Sequence, residues 1–205
     1  EDYLAAIATY AAASPDVPWI LGGGWAMPAF PGGTPTATEL DAVVPDRPVY
    51  LPNRDHHGAW VNSRALEIAG IDSTTPDPAD GRLERDADGR PTGTLHEGAT
   101  ALVTRHLPAA TEGDFYAALV AGQSYLHSLG VTGWQDAIVG AYSGMEDASA
   151  AYTAAAANGD LRSQVVGALW WDRGRGVEQV DELVAKRDSM SGGRFRATSI
   201  KIMQD

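Results

Sequence analysis

The sequence of 205 residues has no cysteine, which excludes disulfide staples and thiolate metal sites and leaves histidine, carboxylate or modified lysine as possible metal ligands. It has no run approaching the roughly 18–20 apolar residues of a membrane-spanning helix, and its first residues resemble neither a signal peptide nor an initiator methionine. Positive charge is scarce. Fifteen Lys and Arg against 27 Asp and Glu give a formal net charge of −12 and a pI near 4.7, with no basic cluster to interrupt the field. Such a surface repels polyanions, so neither nucleic acid nor an anionic membrane is expected as a partner. What is present, 44% hydrophobic residues, suits a soluble globular chain with one sizeable core, or a core and a smaller subdomain. Residues 1–13 carry Leu4, Ile7, Ala8 and Ala11 at helical spacing. The chain therefore opens inside a helix, as if its preceding strand lay upstream; a cytoplasmic location is the expectation, with secretion left open.

Polar, aromatic and turn chemistry concentrates in residues 48–71. Pro48–Leu51 is an apolar strand ended by Pro52, which has no N–H for a ladder. Asn53–Gly58 (NRDHHG) follows, and then Trp60 precedes a two-turn helix capped by Asn62 or Ser63 and stopped by Gly70. A polar loop pinned at both ends holds its side chains in one geometry, as a binding site requires, although adjacent histidines beside Asp and Arg are also common on solvated loops. Upstream, Pro18–Leu21 is a short strand running into Gly22–Gly23–Gly24–Trp25. This run lacks the spacing and the Lys-Ser/Thr of a phosphate loop and reads as a close-packed turn that places Trp25. Residues 28–38 are loop, and Thr36 with Glu39 forms a capping box for a helix ending near Val44. Residues 72–78 are linker. Residues 81–95 read as a surface hairpin turning on Asp88–Gly89, and His96–Glu97 stands at the entry of a helix through about Leu107, where a carboxylate also suits the helix dipole.

From Thr111 helix and strand alternate. A helix capped by Thr111 and Asp114 turns Phe115, Ala118, Leu119, Gly122, Leu126 and Leu129 inward and stops at Gly130. The order is then a strand at 131–135, a helix at 144–157, a strand at 163–171, a helix at 177–186 with Val177, Val180, Leu183 and Val184 inward, and a strand at 196–203. Connections of this length imply parallel strands, doubly wound or in a barrel, and periodicity does not choose.

Six blocks in series resemble the amidohydrolase superfamily, in particular its amidohydrolase-3 branch of YtcJ-like and N-substituted-formamide-deformylase-like proteins. They are Gly22–Gly23–Gly24–Trp25, Leu40–Pro48 (LDAVVPDRP), His57–Leu66 (HGAWVNSRAL), Pro91–Ala99 (PTGTLHEGA, with Glu97), Gly130–Asp136 (GVTGWQD) and Ile200–Lys201–Ile202. The resemblance implies an α/β chain: part of a (β/α)8 TIM barrel of the metal-dependent hydrolase type with an α+β insertion. Residues 1–13 would be a barrel helix, 14–107 the insertion over the catalytic mouth, and 108–205 the βαβαβ barrel units. A complete barrel needs about 250 residues and about 110 remain outside the insertion, so the chain is expected to be an incomplete piece of an enzyme and inactive alone.

The activity implied is hydrolysis of a small-molecule C–N bond of the amide or formamide type by metal-activated water, with a divalent metal, zinc, in the full-length protein. Lys201 looks like the strand-four lysine whose carbamate bridges the metals; on spacing alone it reads as a lysine snorkelling at a strand end, opposite Ile200 and Ile202. The first-strand His-x-His pair, the later histidines and the final aspartate are absent, and adjacent His56 and His57 would face opposite ways, so no metal is expected in this chain by itself. His57, Trp25, Trp60, Trp134 and Glu97 are the candidate substrate-binding residues, with Gln135–Asp136 and Gln204–Asp205 as further polar groups at strand ends. Self-association through exposed barrel edges is a further expectation. Two other classes fit less of the pattern: a non-enzymatic binding or assembly module, and a carboxylate-pair hydrolase using Glu97 with Asp136, which needs those carboxyls within about 5–10 Å.

Overall fold

The computed structural model describes residues 3–142 and 146–203, and the chain divides into two compact units, residues 1–108 and 109–205. In the first, the helix α1 (Tyr3–Ala13) is followed by α2 (Ala37–Asp41), which opens on the Thr36–Glu39 capping box. Around them run β1 (Ile20–Leu21), β2 (Val49–Pro52), β3 (Gly58–Val61), β4 (Gly81–Arg85) and β5 (Pro91–Glu97), with the helices α3 (Ser63–Ala69) and α4 (Ala101–Thr104). The sheet order is β1-β2-β3-β5-β4; β1 runs parallel to β2 and the other pairings are antiparallel.

Side-chain alternation explains why this sheet is covered on both faces. Val49, Leu51 and Trp60 join Ile20, Leu40 and Val44 beneath Ile7 and Leu4 of α1. Ala59, Val61, Leu83 and Leu95 meet Ala65, Leu66 and Ala69 of α3 and Val103 of α4 on the other face. Helix α1, assigned from sequence to a barrel, thus packs its apolar side within the first unit. Two expectations are corrected here. Residues 58–61 form a strand rather than a lead-in to α3; all four are buried, so no alternation marks them. His96 and Glu97 end β5, and helical backbone starts only at Gly98, as a 3-10 turn (Gly98–Thr100) leading into α4.

The second unit comprises α5 (Glu112–Ser128), β6 (Gly133–Val139), α6 (Ser149–Asn158), β7 (Gln164–Trp170), α7 (Val180–Ser189), β8 (Ser191–Gly192) and β9 (Phe195–Lys201). Its sheet order is β6-β7-β9-β8; the first three strands are parallel and β8 is a short antiparallel edge. Val165, Leu169, Phe195 and Ala197 face Tyr116 and Leu119 of α5, Tyr152 and Ala155 of α6 and Leu183 of α7. Gln135, Ala137, Val166, Arg196 and Thr198 alternate to the other face and are exposed. The unit is therefore a parallel sheet with helices on one side. The sheets hold five and four strands, so among the described residues there is no (β/α)8 barrel; the architecture shown is mixed α/β.

Three element readings change in physical detail. Strand β6 begins at Gly133, not Val131, because the Val131 N–H bonds the Leu126 carbonyl (3.0 Å) and that of Gly130 bonds His127 (3.0 Å), a Schellman closure with Gly130 at φ +80°. In α5 the inward stripe is part polar: Leu119 packs on the core as expected, but the buried residue is Gln123, whose amide accepts from the Arg162 and Ser163 N–H groups (2.7 and 3.0 Å) and donates to the Asp160 carbonyl (2.9 Å), while Ala118 and Gly122 are exposed. Of the four α7-region residues expected inward only Leu183 is buried, and Val177 is 79% exposed. Gln179 takes the inner place, its Nε2 donating to the carbonyls of Asp172, Arg175 and Gly176. The helix expected at 144–157 runs instead over Ser149–Asn158, residues 146–148 being non-helical, and residues 143–145 lie outside the described residues.

Candidate functional site

The β2–β3 connection is organised by Asn53. Its buried side chain accepts from the His57 and Gly58 N–H groups (3.0 and 3.3 Å), and its backbone N–H donates to the Gly58 carbonyl (2.9 Å). Trp25 forms a parallel bridge with Asn53 and its carbonyl accepts from the Arg54 N–H (2.9 Å), so the Gly-Gly-Gly-Trp turn and the NRDHHG loop hold one another. His56 takes φ +61°. That left-handed residue makes the corner after which the His57 side chain emerges toward β5.

There it meets Glu97. His57 Nδ1 lies 2.9 and 3.2 Å from the two Glu97 carboxylate oxygens, and the Glu97 N–H donates to the His57 carbonyl (2.9 Å). The side chains are 70% and 56% exposed, so the pair is open to a ligand. Glu97 has φ +50°, ψ −129°, a conformation natural to glycine that costs other residues about 1–3 kcal/mol. The surroundings enforce it. A Cβ on Gly81 would lie 2.3 Å from the Ala99 nitrogen and 2.5 Å from the His96 oxygen, and one on Gly98 would lie 2.0 Å from Asp80 Oδ1. His96 itself turns to Glu84 (3.1 Å), which also binds Arg82 (2.7 Å).

The candidate tryptophans are placed as follows. Trp25 and Trp60 are buried and pack with Phe30 in edge-to-face contacts. Their indole N–H groups donate to the carbonyls of Leu51 and Thr36 (both 2.7 Å). Together with Tyr3, Ile7, Tyr10 and Leu21 they wall a cleft of about 280 Å³. In the second unit Trp134 Nε1 donates to the Tyr152 hydroxyl (3.4 Å), which donates to Asp136 Oδ2 (2.9 Å). Burial pushes the Tyr152 phenol up to about 12. Asp136 Oδ1 accepts from the Ile138 N–H (3.0 Å), so Glu97 and Asp136 are each committed to a partner within their own unit.

Lys201 ends β9 and is half-buried. The β7–β9 register slips once between Gly167 and Ala168, so that Ser199 opposes Ala168, Ile200 opposes Leu169 and Lys201 opposes Trp170. Unbroken alternation would put Lys201 on the helix side with Phe195 and Ala197; the one-residue bulge carries it to the helix-free face. Beyond the same strand ends a cavity of about 220 Å³ is lined by Gly140, Trp170, Arg175, Glu182 and Lys186. Arg175 hydrogen-bonds Glu182 (2.8 Å) and holds its carboxyl below the usual range. Among the described residues no group of three or more His, Asp or Glu could hold a metal ion, so Lys201 lacks companions here, and Gln204 and Asp205 lie outside the described residues.

The model of the amidohydrolase family, Amidohydro_3, matches residues 1–205. The chain belongs to the amidohydrolase family. It is 37% identical over 144 residues to the putative amidohydrolase YtcJ of Bacillus subtilis (strain 168), covering 69% of this chain and 27% of that one. It is 46% identical over 69 residues to the N-substituted formamide deformylase of Arthrobacter pascens, covering 34% and 13%. An uncharacterized metal-dependent hydrolase from Pyrococcus furiosus shares the fold with a TM-score of 0.54 at 24% identity, over 96% of this chain and 37% of that one. The chain thus spans no more than about a quarter of these curated relatives. No described helix is long and apolar enough to cross a membrane.

The Asn53 and Asn62 anchors are what sequence reasoning missed. Asn62 was legible as a cap, but its amide also accepts from the Val49 N–H (3.0 Å) and donates to the Val44 and Arg47 carbonyls (3.0 and 2.8 Å). An asparagine directly after a short apolar strand, β2 or β3, is the only signal of either.

Proposed function

We infer that the chain is part of a metal-dependent hydrolase that cleaves the C–N bond of amide- or formamide-type small molecules, with Lys201 among the metal ligands. The family match along the whole chain carries this reading. Similarity to a relative named for formamide deformylation supports the bond type, and likeness in fold to a metal-dependent hydrolase supports the metal. The one-sided parallel sheet favours a barrel segment over a doubly wound sheet, which would carry helices on both faces. Its bare face would line the barrel interior, and Lys201 stands at the carboxyl end of β9 on that face, where barrel enzymes place their chemistry. Zinc is the expected ion, and a carbamate on Lys201 would supply an anionic oxygen ligand. The described residues do not complete a ligand set, and no reaction step is assigned to them through a metal.

The test is metal content by mass spectrometry on full-length protein purified with zinc and bicarbonate, beside Lys201→Ala, followed by hydrolysis of N-substituted formamides and matched esters. About one or more equivalents of zinc are expected, lost in Lys201→Ala, with turnover of the formamide. Metal retained in the variant removes Lys201 from the ligand set; turnover of esters alone removes the C–N assignment.

A further inference from the structure

We propose that His57 and Glu97 form a recognition dyad in which His57 Nε2 accepts a hydrogen bond from the N–H of a secondary amide or formamide substrate. The inference deepens the C–N hydrolase reading and rests on it. The two ends of the dyad are unequal. An ionised carboxylate only accepts, so the 2.9 and 3.2 Å contacts to Glu97 require the proton on Nδ1. In the neutral imidazole Nε2 is then left with its lone pair, and among the described residues nothing bonds it. The ring is 70% exposed, whereas its backbone is held on both sides, by Asn53 Oδ1 at the N–H and by the Glu97 N–H at the carbonyl.

Strain is the second, independent observation. Glycine stands on one side of Glu97 and opposite it, at 98 and 81, where contacts of 2.0–2.5 Å leave no room for a Cβ. Position 97 has the most glycine-like dihedrals of the turn and nevertheless carries a glutamate. A residue held in such a conformation by its surroundings points to a use for its side chain. The use open to this one is fixing the imidazole tautomer, because its carboxylate reaches His57 and the dyad's other end faces solvent. An acceptor held in one orientation selects ligands bearing a donor, since a ligand without one leaves the site's lone pair unmatched.

The first readout is the tautomer of His57 by long-range ¹⁵N–¹H correlation in this chain, above neutral pH. A pyrrole-like Nδ1 and pyridine-like Nε2 are expected, kept in Glu97→Gln, whose amide oxygen still accepts, and lost in Glu97→Ala. A wild-type Nε2–H tautomer overturns the proposal. The second readout is kcat/KM of the metal-loaded full-length enzyme on an N-monosubstituted and an N,N-disubstituted formamide. His57→Phe should lower the first about tenfold or more, the value of one hydrogen bond, through KM, and leave the second within about threefold. Equal losses on both overturn the dyad while leaving the hydrolase reading intact. A wild-type enzyme that turns over neither formamide overturns that reading and this contact together.

Discussion

Replacing Glu97 by glycine should stabilise the first unit relative to replacing it by alanine, the reverse of the usual order. At an ordinary position alanine is favoured over glycine by about 0.5–1 kcal/mol through backbone entropy. At φ +50°, ψ −129° the alanine keeps a Cβ in a region that costs about 1–3 kcal/mol, and glycine does not. Subtracting one from the other leaves Glu97→Gly ahead of Glu97→Ala by about 1 kcal/mol, in a range of about 0–2.5 kcal/mol. Both variants lose the same His57–Glu97 hydrogen bond, which contributes at most about 1 kcal/mol because its partners are well exposed. Wild type should therefore lie close to Glu97→Gly or below it. Differential scanning calorimetry reads the difference directly: for a unit of this size about 4–8 °C per kcal/mol separates the two midpoints. If Glu97→Ala melts at or above Glu97→Gly, the backbone is relaxed in solution and the strain argument fails. Glu97→Gly is also the informative functional variant, since it should be the more stable protein with the poorer recognition of N–H donors.

Three other perturbations bear on the frame around that pair. Gly81→Ala drives a Cβ into backbone atoms of His96 and Ala99 and should cost about 3 kcal/mol or more in urea unfolding; a loss under about 1 kcal/mol would show that the turn yields. Asn62→Ala removes a buried amide that makes four hydrogen bonds to Val49, Ala65, Val44 and Arg47, leaving buried backbone groups unmatched at about 1–3 kcal/mol each, so a loss of at least about 3 kcal/mol and faster amide exchange at Val49 and Ala65 are expected. Tyr152 ionises near 12 in the folded chain against 10.0 unfolded, so the folded state holds the proton longer and the stability it contributes, full below pH 10, declines as pH rises toward 12. Tyr152→Phe should flatten that alkaline decline, and an unchanged slope would show that the phenol is not buried in solution.

How much of this was open to sequence reasoning follows from range. Caps and stops depend on neighbours within one turn, which is why Thr36 with Glu39, Thr111 with Asp114 and Gly70 behave as the local pattern indicates. Strand β3 was not legible because burial on both faces erases the two-residue period. The inner stripe of α5 is only partly legible because Gln123 and His127 share it with Leu119, and their acceptability depends on Asp160 and Ser163, more than thirty positions away. His57 and Glu97 were each visible as candidates, but their pairing spans 40 positions and is created by the β3–β5 register, which sets Gly58 opposite His96. The strain at Glu97 was invisible for the same reason: it arises from the close approach of Gly81 and Asp80, which no local pattern encodes.

Lys201 shows how small an irregularity can decide chemistry. Its flanking isoleucines imply only that it points away from them, and two faces satisfy that condition. One extra residue at the β7–β9 slip selects between them, moving the lysine from the face of Phe195 and Ala197 to the helix-free face. On the helix side an ammonium would have to be desolvated against Leu169 and Leu183; on the open face it keeps its water until other groups surround it. The same logic separates the two candidate sites. Lys201 needs further ligands before its amine can serve a metal, whereas the His57–Glu97 dyad is complete within the first unit, with its tautomer, backbone supports and open nitrogen all supplied by residues 53–98. Variants of the dyad should therefore report on substrate choice with bound metal unchanged, while Lys201→Ala should remove metal without altering the His57 tautomer, and a double variant should show the two losses adding without interaction.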